Sequence, residues 1–352
     1  MTLHINLQEL IPKDVPCQVQ AMQLFFDPKT NKSLSREGIE IRIPGFGNTH
    51  DVEYIDDSWL AYFADNVGAY AHNLVEALVS NGYIRGRSVR GASFDFRLSM
   101  ASNTEYFLRL RKLIESTYAD NSNTNVALIS HSMGGLYTTW FLNHQSQAWK
   151  DKYIHSFISL STPWAGSTES LQAIVSGFTF HVPLLNPLVV RTEQRSWESN
   201  FLLLPNAKVW PSGKVFILTD KRNYTAQPSD VADLLQELGL STDIYHYVRD
   251  ANDPKNTSSV LPPHPEVTTY CMYGTELATD NVYDYRAKTF PDVQPIISTV
   301  PGDGTVSHES LSSCKEWGSS KTVEMQFPSA SHTDMLKGKD PINAVLKILL
   351  QR

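Results

Sequence analysis

The sequence predicts an α/β fold in which a mostly parallel central sheet is flanked by helices. Short strand patterns alternate with amphipathic helix patterns, and parallel neighbours need such helical crossovers. Hydrophobic residues make up 41% of the 352 residues, which is enough for a large core. Length alone allows either one elaborated domain or two smaller ones.

The first half of the chain carries the clearest alternation. Residues 39 to 47 predict a β-branched strand that ends in a Pro-Gly turn, and residues 88 to 96 (SVRGASFDF) predict a second strand. Residues 126 to 130 (VALIS) predict a short buried strand. Two helices are predicted between these strands from apolar stripes. The first stripe, on a helix that ends near Asn81 and Gly82, comprises Val67, Tyr70, Ala71, Leu74, Val75 and Leu78. The second comprises Tyr106, Leu110, Leu113 and Ile114.

The second half begins with the same pattern and is then interrupted. A helix is predicted through LYTTWFLNHQ, followed by a strand in FISLSTP. Residues 171 to 265 are predicted to be irregular and to form an inserted cap and lid, because prolines are scattered there around the apolar run FTFHVPLLNPLVV. VTTYCMYG and TVEMQF are further predicted strands, and Asp340-Pro341 begins a last predicted helix with Ile342, Val345, Leu346 and Leu349 on one side.

Charge and hydropathy exclude several classes of protein. The net charge is −7 with a pI near 5.9 and no concentrated Lys/Arg stripe, which argues against nucleic acid as a partner. No apolar stretch reaches the roughly 18 residues of a spanning helix, and the first residues do not have the pattern of a signal peptide. No metal or cofactor motif is found. A neutral or zwitterionic substrate fits these properties better than a nucleic acid does.

Ser132 is the candidate nucleophile. It lies in Ser130-His131-Ser132-Met133-Gly134, at the end of a predicted strand and the start of a predicted helix, which is the context of a nucleophile elbow. The helix N-terminus there faces a developing oxyanion. Position 130 is Ser where the usual pattern has Gly, and a chance turn is the alternative interpretation. Together these features predict an α/β-hydrolase fold.

Chain order selects the partners of the nucleophile, because serine needs a base and the base needs an orienting acid. Asp303, in a tight Pro-Gly-Asp-Gly loop, is the preferred acid over Asp280 and Asp292. His332 is the sole histidine after TVEMQF and is therefore the candidate base. His131, His264 and His308 are predicted to be solvated or structural, although His131 flanks the nucleophile and stays an alternative that only geometry can decide.

An oxyanion hole needs two N–H donors. Met133, the residue after the nucleophile, is predicted to supply one. Spacing places the loop Pro44-Gly45-Phe46-Gly47 as a candidate for the second.

The sequence resembles the lecithin:cholesterol acyltransferase and lysosomal phospholipase A family along nearly its whole length. The collinear motifs are RIPGFGNTHDVEYID, VRGASFDFR, SHSMGG, QAWKDKYI, ISLSTPWAGS, TEQRSW, RNYT, YCMYGTEL, GDGTV and SHTDML. The resemblance implies that Ser132, Asp303 and His332 form the family's triad and that Met133 is an oxyanion donor. It also implies a disulfide between Cys271 and Cys314, two of the three cysteines.

The implied activity is acyl transfer from a glycerophospholipid. Ser132 would take a fatty acyl chain, and water or a lipid alcohol such as a sterol or ceramide would accept it. Residues 177 to 195 resemble the family's mobile lid, with Gly177, Phe178, Phe180, Val182, Leu184, Leu185 and Leu188 as its candidate residues. No cofactor is implied.

The resemblance also carries expectations about domains, partners and location. Residues 1–38 are expected to be a remnant of a membrane-contacting region, residues 39–170 and 266–352 the hydrolase core, and residues 171–265 the cap. A peripheral membrane or lipoprotein surface and an activator protein are implied partners. The implied location is secreted or lysosomal. Three sequons, at Asn31, Asn223 and Asn256, are candidate glycosylation sites.

Two features depart from the family pattern. The family begins with an additional core strand and a Pro-Gly loop that supplies the second oxyanion donor, and this segment is not found before residue 1. Cys17 resembles one half of a family disulfide whose partner belongs to that segment. The chain is therefore expected to be shortened at its N-terminus. A neutral-lipid lipase and a catalytically impaired lipid-binding form are the alternative hypotheses.

Overall fold

The computed structural model describes residues 15–43, 45–54, 68–179, 185–252 and 261–350. Its strands are β1 Leu24–Asp27, β2 Lys32–Ser35, β3 Val126–His131, β4 Ile154–Leu160, β5 Val215–Leu218, β6 Asn223–Thr225, β7 Thr269–Thr275, β8 Leu277–Asp284, β9 Ile296–Gly302 and β10 Thr322–Pro328.

The helices lie between and around these strands. They are α1 Val15–Met22, α2 His50–Glu53, α3 His72–Ser80, α4 Thr104–Asp120, α5 Met133–Asn143, α6 Gln147–Tyr153, α7 Glu169–Val175, α8 Pro187–Gln194, α9 Glu198–Leu202, α10 Pro228–Glu237, α11 Asp243–Asn252, α12 His308–Leu311, α13 Asp334–Lys337 and α14 Lys339–Leu350, with 3₁₀ turns at Met100–Ser102 and Ser312–Trp317. Among the described helices, none combines the length and the apolar content needed to cross a membrane.

The main sheet is parallel throughout, with strand order β10-β7-β4-β3. Helices cover both of its faces. One apolar core packs α4, α5 and α6 against it, and the other packs α3 and α14. Because all four strands run the same way, their carboxyl ends lie along one edge, where ligands bind in open α/β sheets.

A second sheet stands beside the first, with strand order β6-β5-β8-β9. Its core includes Trp210, Phe216, Tyr224 and side chains of α10 and α11. The β8–β9 hairpin begins directly after β7, which brings the end of β9 to the carboxyl edge of the main sheet. The strands of this sheet come from both sides of residue 265, so the domain division there remains a prediction.

Near the beginning of the described chain, β1 and β2 form an antiparallel hairpin. Phe25 and Leu34 are paired across it, and each is 54% exposed. Two large apolar side chains therefore stand together on the surface.

Several predicted elements are confirmed. The apolar stripes correspond to α3, α4 and α14, with Leu74, Val75, Leu78, Tyr106, Leu110, Ile114, Ile342, Val345 and Leu349 buried. Val67 lies outside the described residues. VALIS, FISLSTP, VTTYCMYG and TVEMQF correspond to β3, β4, β7 and β10. VALIS is only partly buried, because β3 forms one edge of the sheet in the described part of the chain.

Two predicted strands are wrong. The described residues of the two segments, 39–43, 45–47 and 88–96, have no strand conformation apart from isolated bridges at Phe46 and Val89. Two backbone bonds join the two segments without forming a ladder: Gly47 donates to Gly91 O at 2.9 Å, and Gly91 donates to Asn48 O at 3.2 Å. The prediction of irregular structure for residues 171–265 is also wrong, since five helices and two strands lie within or overlap its described part.

A buried ion pair joins the segments that precede the main sheet. Glu53, 3% exposed, accepts bonds from Arg85 Nε at 2.9 Å and Nη2 at 3.0 Å, and its second oxygen lies 2.7 Å from His72 Nδ1. The Glu53 carbonyl accepts from the Tyr70 amide at 2.7 Å. Burial alone would raise the Glu53 pKa, but hydrogen bonds with Arg85 and its other neighbours lower it to about 2.

This ion pair predicts a pH-dependent contribution to stability. The folded pKa of Glu53 lies below its ordinary value of 4.5, so its contribution is complete above pH 4.5 and is lost as the pH falls towards 2. We expect Glu53→Gln to lower the free energy of unfolding by about 3 kcal/mol at pH 6. Urea denaturation should show that the difference in free energy of unfolding between Glu53→Gln and the unmodified protein shrinks as the pH falls from 6 to 2.5.

Glu76 provides the control, since it contacts the same Arg85 at 2.5 Å but its side chain is 49% exposed. Glu76→Gln should cost less than about 1 kcal/mol. Equal losses for the two variants, or a gap for Glu53→Gln that does not change with pH, would contradict this assignment.

Candidate active site

Ser132 occupies the turn between β3 and α5 in a strained conformation. Its φ is 54° and its ψ is −132°, a region that costs a non-glycine residue about 1–3 kcal/mol. The turn is held by a bond from the Ser132 amide to Leu160 O at 2.9 Å and by a bond from the Gly135 amide to Ser132 O at 2.9 Å. The side chain is half-buried at the carboxyl edge of the sheet.

The residues around Ser132 explain how this turn closes. A Cβ on Gly135 would lie 1.8 Å from Thr162 Oγ1, so only glycine allows α5 to approach the end of β4. A Cβ on Gly134 would meet only ordinary contacts, with Ser130 Cβ at 3.7 Å. Ser130, where the motif usually has glycine, bonds Thr138 Oγ1 at 2.5 Å.

Asp303 follows β9 and is fully buried. Its Oδ1 accepts from the amides of Thr305 at 3.1 Å and Val306 at 2.8 Å, and its Oδ2 lies 2.7 Å from His332 Nδ1. Burial would raise the Asp303 pKa, but the charge and hydrogen bond of His332 and the Val306 amide outweigh burial and lower it. The carboxylate is therefore held ionised away from solvent.

His332 follows β10 and is bound to Asp303 twice. Besides the ring contact, its backbone amide donates to Asp303 O at 2.8 Å. Because an ionised carboxylate can only accept, Nδ1 carries a proton, and in the neutral imidazole Nε2 is then the proton acceptor. Such a tautomer can accept a proton from a hydroxyl.

The end of β3 meets the His332 loop through His131. The Nε2 atom of His131 lies 2.8 Å from the backbone oxygen of His332, and the two ring centroids are 4.6 Å apart. The structure thus brings the predicted residues Ser132, Asp303 and His332 to one edge of the sheet. This contact places His131, which the sequence left open, between the nucleophile turn and the His332 loop.

The predicted oxyanion donors differ in their availability. Met133 is the first residue of α5, so its N–H has no intrahelical partner. The Gly47 amide donates to Gly91 O, and Phe46 packs edge-on against Tyr106 at 6.1 Å. The Gly47 amide is therefore already bonded, so the prediction that it supplies the second oxyanion donor is wrong. Gly45 belongs to the same turn, and Pro44 lies outside the described residues.

The competing acids and histidines have other surroundings. Asp280 lies inside β8, and Asp292 pairs with Arg191 at 2.7 Å. The His264 ring packs on Trp317 and lies 3.0 Å from the Glu266 amide that donates to it. His308 stands at 5.8 Å from the Tyr273 ring.

Glu169, at the start of α7, was not singled out by the sequence. Burial, followed by the proximity of Asp280 and Asp303, raises the pKa of Glu169 well above its ordinary value. No sequence signal distinguishes it from a solvated helix N-terminal carboxylate.

A family model described as lecithin:cholesterol acyltransferase matches residues 1–230 and 228–346. The chain belongs to this family. The lysosomal phospholipase A and acyltransferase of Bos taurus is 37% identical over 352 residues, covering 99% of this chain and 83% of the relative. The human protein of that name is 35% identical, with 99% and 82% covered.

Another relative in the acyltransferase family is the phosphatidylcholine-sterol acyltransferase of Gallus gallus, 37% identical over 350 residues, with 99% of this chain and 79% of the relative covered. Among solved structures, the Tle4-Tli4 complex matches with a TM-score of 0.52 and 14% identity, over 73% of this chain and 66% of that chain. The fold is that of the α/β-hydrolases, as the sequence predicted.

The two ends of the segment that resembles the lid of the acyltransferase family are held close together by packing and hydrogen bonds. A Cβ on Gly177, whose φ is 82°, would lie 1.9 Å from Pro187 O. The buried Gln194 side chain accepts from the Phe178 amide at 2.9 Å and donates to the Phe178 carbonyl at 2.5 Å. Leu185 and Leu188 are half-buried, and Phe180, Val182 and Leu184 lie outside the described residues.

Cys271 and Cys314 form a disulfide, as the resemblance implied. It joins β7 to the 3₁₀ turn that follows the Asp303 loop. Cys17 lies in α1, and its side chain is not described. The sequon residues Asn31 and Asn223 are exposed, whereas Asn256 lies outside the described residues.

Within the described ranges, Glu53, His72 and Glu76 are close enough to one another to share a cation. Arg85 already bonds both carboxylates, at 2.9 Å and 2.5 Å. A guanidinium in that place fits an ion-pair network rather than a metal centre, because it already supplies the positive charge.

The elbow geometry predicts different effects for its two glycines. Gly135→Ala should displace the turn or cost about 1–3 kcal/mol of stability through the clash with Thr162. A displacement of about 1 Å should slow fluorophosphonate labelling of Ser132 on the order of 100-fold. Labelling rates and thermal unfolding would both be measured.

Gly134→Ala is the matched control because its Cβ meets only ordinary contacts. It should label within about threefold of the unmodified protein. Equal impairment of the two variants would show that the close approach to Thr162 is not the constraint.

Proposed function

We propose that this chain transfers a fatty acyl group from a glycerophospholipid, through an acyl-enzyme on Ser132, to water or to a lipid alcohol. The observation that carries the proposal is the His332 imidazole, oriented by a fully buried Asp303 at 2.7 Å, on the loop that contacts the residue before Ser132. The names of the acyltransferase-family relatives supply the substrate class.

In the first half-reaction, His332 Nε2 takes the Ser132 hydroxyl proton while Oγ bonds to the ester carbonyl carbon. Asp303 stabilises the imidazolium that forms. The Met133 N–H would donate to the carbonyl oxygen as it gains negative charge. His332 then returns the proton to the leaving alkoxide, so that a lysophospholipid departs and Ser132 carries the acyl group.

The second half-reaction repeats these steps with an acceptor hydroxyl. His332 deprotonates water or a lipid alcohol, whose oxygen attacks the acyl-enzyme. Collapse of the intermediate returns the proton to Ser132. Water yields a free fatty acid, and an alcohol yields a new ester.

The lid segment supports a role in choosing between these acceptors. Its apolar run starts at the stem where Gln194 binds both backbone groups of Phe178. A closed apolar lid would limit the access of water to the acyl-enzyme. The alcohol acceptor would then compete more effectively.

The surface and the disulfide suggest where the enzyme works. Phe25 and Leu34 stand together, exposed, on the β1–β2 hairpin, which suits peripheral contact with a lipid surface. A disulfide and exposed sequons at Asn31 and Asn223 fit an oxidising secretory or lysosomal route. The activator protein implied by the resemblance remains a prediction.

Release of labelled fatty acid from phosphatidylcholine vesicles tests the proposal. Ser132→Ala should abolish release and fluorophosphonate labelling. Asp303→Asn should lower kcat by about 10⁴-fold, because the amide stabilises the wrong imidazole tautomer. Asp292→Asn, a change at the competing acid, should leave release within about twofold.

Three results would contradict the proposal. Activity that persists in Ser132→Ala would exclude the acyl-enzyme. Folded protein that neither labels nor releases fatty acid would favour a lipid-binding function. Turnover of triacylglycerol emulsions without turnover of phosphatidylcholine would favour a neutral-lipid lipase.

The lid stem gives a further prediction. Gln194→Ala removes both hydrogen bonds to Phe178 and should let water reach the acyl-enzyme. In vesicles that contain a ceramide or a sterol, the ratio of free fatty acid to new ester should rise about threefold or more, as expected for an opened lid. An unchanged ratio with unchanged turnover would exclude this role for the stem.

A further inference from the structure

His131 links three parts of the site although it is not one of the proposed catalytic residues. It is the last residue of β3 and precedes Ser132 in the chain. On one side the hydroxyl of Tyr70 bonds its Nδ1, and on the other its Nε2 lies 2.8 Å from the backbone oxygen of His332.

The chemistry of these partners fixes the tautomer of His131. A backbone carbonyl can only accept, so Nε2 must carry a proton and donate it to His332 O. Nδ1 is then the acceptor, and the Tyr70 hydroxyl is its donor. Burial raises the pKa of Tyr70, which keeps that hydroxyl protonated.

The charge of the ring is also determined by its surroundings. Burial, followed by the proximity of His332, lowers the His131 pKa to about 3, while the His332 carbonyl and Asp303 act in the opposite direction. Among the described residues, Tyr70 and His332 bond the His131 ring, and Asp303 is near enough to act on its charge. His131 is therefore neutral near pH 7 and brings no competing positive charge to the site.

The His332 loop needs such a contact because of the strand order. In the described part of the main sheet, β10 and β3 are the two outer strands, three interstrand spacings or roughly 14 Å apart. The loop must reach from β10 across the strand ends towards Ser132. Asp303 fixes the amide and the ring of His332 from one side, and His131 fixes the carbonyl from the other.

We propose that His131 is a positioning residue for the base: its Nε2–H holds the His332 backbone carbonyl beside the nucleophile elbow, and Tyr70 selects the tautomer that makes this possible. This inference rests on the proposed function of Ser132 and His332. It assigns to the residue before the nucleophile a role in aligning the base.

Two amide substitutions separate the two ring nitrogens. The amide nitrogen of His131→Gln lies about where Nε2 lies and can still donate to His332 O. That of His131→Asn lies about where Nδ1 lies and leaves the carbonyl unpaired. We expect His131→Asn to lower kcat about 10-fold or more with KM within about twofold, as for an unpaired buried acceptor, and His131→Gln to recover most of the rate.

Tyr70→Phe tests the choice of tautomer. It keeps the ring that packs edge-on against His131 at 5.4 Å but removes the donor to Nδ1. The kcat should fall between those of the Gln and Asn variants, because both tautomers become available. Tyr54→Phe is the control: it removes a hydroxyl that bonds His72 at 2.9 Å, and kcat should not change.

A spectroscopic measurement tests the inference even if the chain proves inactive. The downfield proton NMR signal of His332 Nδ1–H, assigned by its loss in Asp303→Asn, should persist in His131→Gln and broaden or disappear in His131→Asn. Rates would be divided by the number of fluorophosphonate-titrated sites, so that loss of folded protein is not counted as loss of kcat.

The outcomes distinguish this inference from the proposed function. An unmodified protein that is inactive but shows the Gln–Asn difference in the NMR signal would contradict the proposed function and support the positioning contact. An active protein whose Gln and Asn variants have the same kcat and the same signal would overturn the role of His131 while leaving Ser132 and its partners in place.

Discussion

The burial of the Asp303 carboxylate is the constraint on which the site depends. An unpaired charge in that position would cost several kcal/mol, so each of its oxygens must be bonded. Two backbone amides bind Oδ1, and His332 binds Oδ2. The loop must be tight to bring those amides inward: a Cβ on Gly302 would lie 2.3 Å from Val306 O. The loop that carries His332 also approaches β7 closely at Gly274, where an added Cβ would lie 2.0 Å from Ala330 O.

These close approaches determine how the two sheets meet. β7 continues directly into β8, and the β8–β9 hairpin returns the chain to the end of β7, where Asp303 lies. β10 adds in parallel beside β7 and delivers His332 to the same place. The acid and the base thus come from different sheets but share one junction. A shift of either sheet would break the hydrogen bonds of a buried charge, which gives the junction its rigidity.

The fold was predictable from sequence where a pattern had only one structural solution. The stripes of α3, α4 and α14, and the apolar runs of β3, β4, β7 and β10, bury side chains in the way that their periodicity requires. Residues 39–47 and 88–96 have strand-like composition, but a strand also needs a partner along its edges. Their bonds run between Gly47, Asn48 and Gly91 instead. The second sheet was missed because β5 pairs with β8, about 65 residues away, and no local pattern records that pairing.

The site was predictable to a different extent. Chain order and motif context selected Ser132, Asp303 and His332, since the order of such residues follows from the fold. The role of His131 depends on the position of a backbone oxygen two hundred residues away, and that of Glu53 depends on burial beside Arg85. Neither a lone histidine nor a helical glutamate carries that information in its sequence neighbourhood.

The Cys271–Cys314 bond has a consequence for how the protein must be made. The two sulfurs belong to residues only 1% and 0% exposed, so a folded molecule offers them to neither oxidant nor reductant. Their oxidation state is therefore decided during biosynthesis, before β7 and the 3₁₀ turn close around them. Material produced in a reducing cytosol would enclose two thiols in the core next to the Asp303 loop, and their later oxidation would require that region to open. Recombinant preparations from oxidising and reducing compartments should consequently be treated as two different proteins.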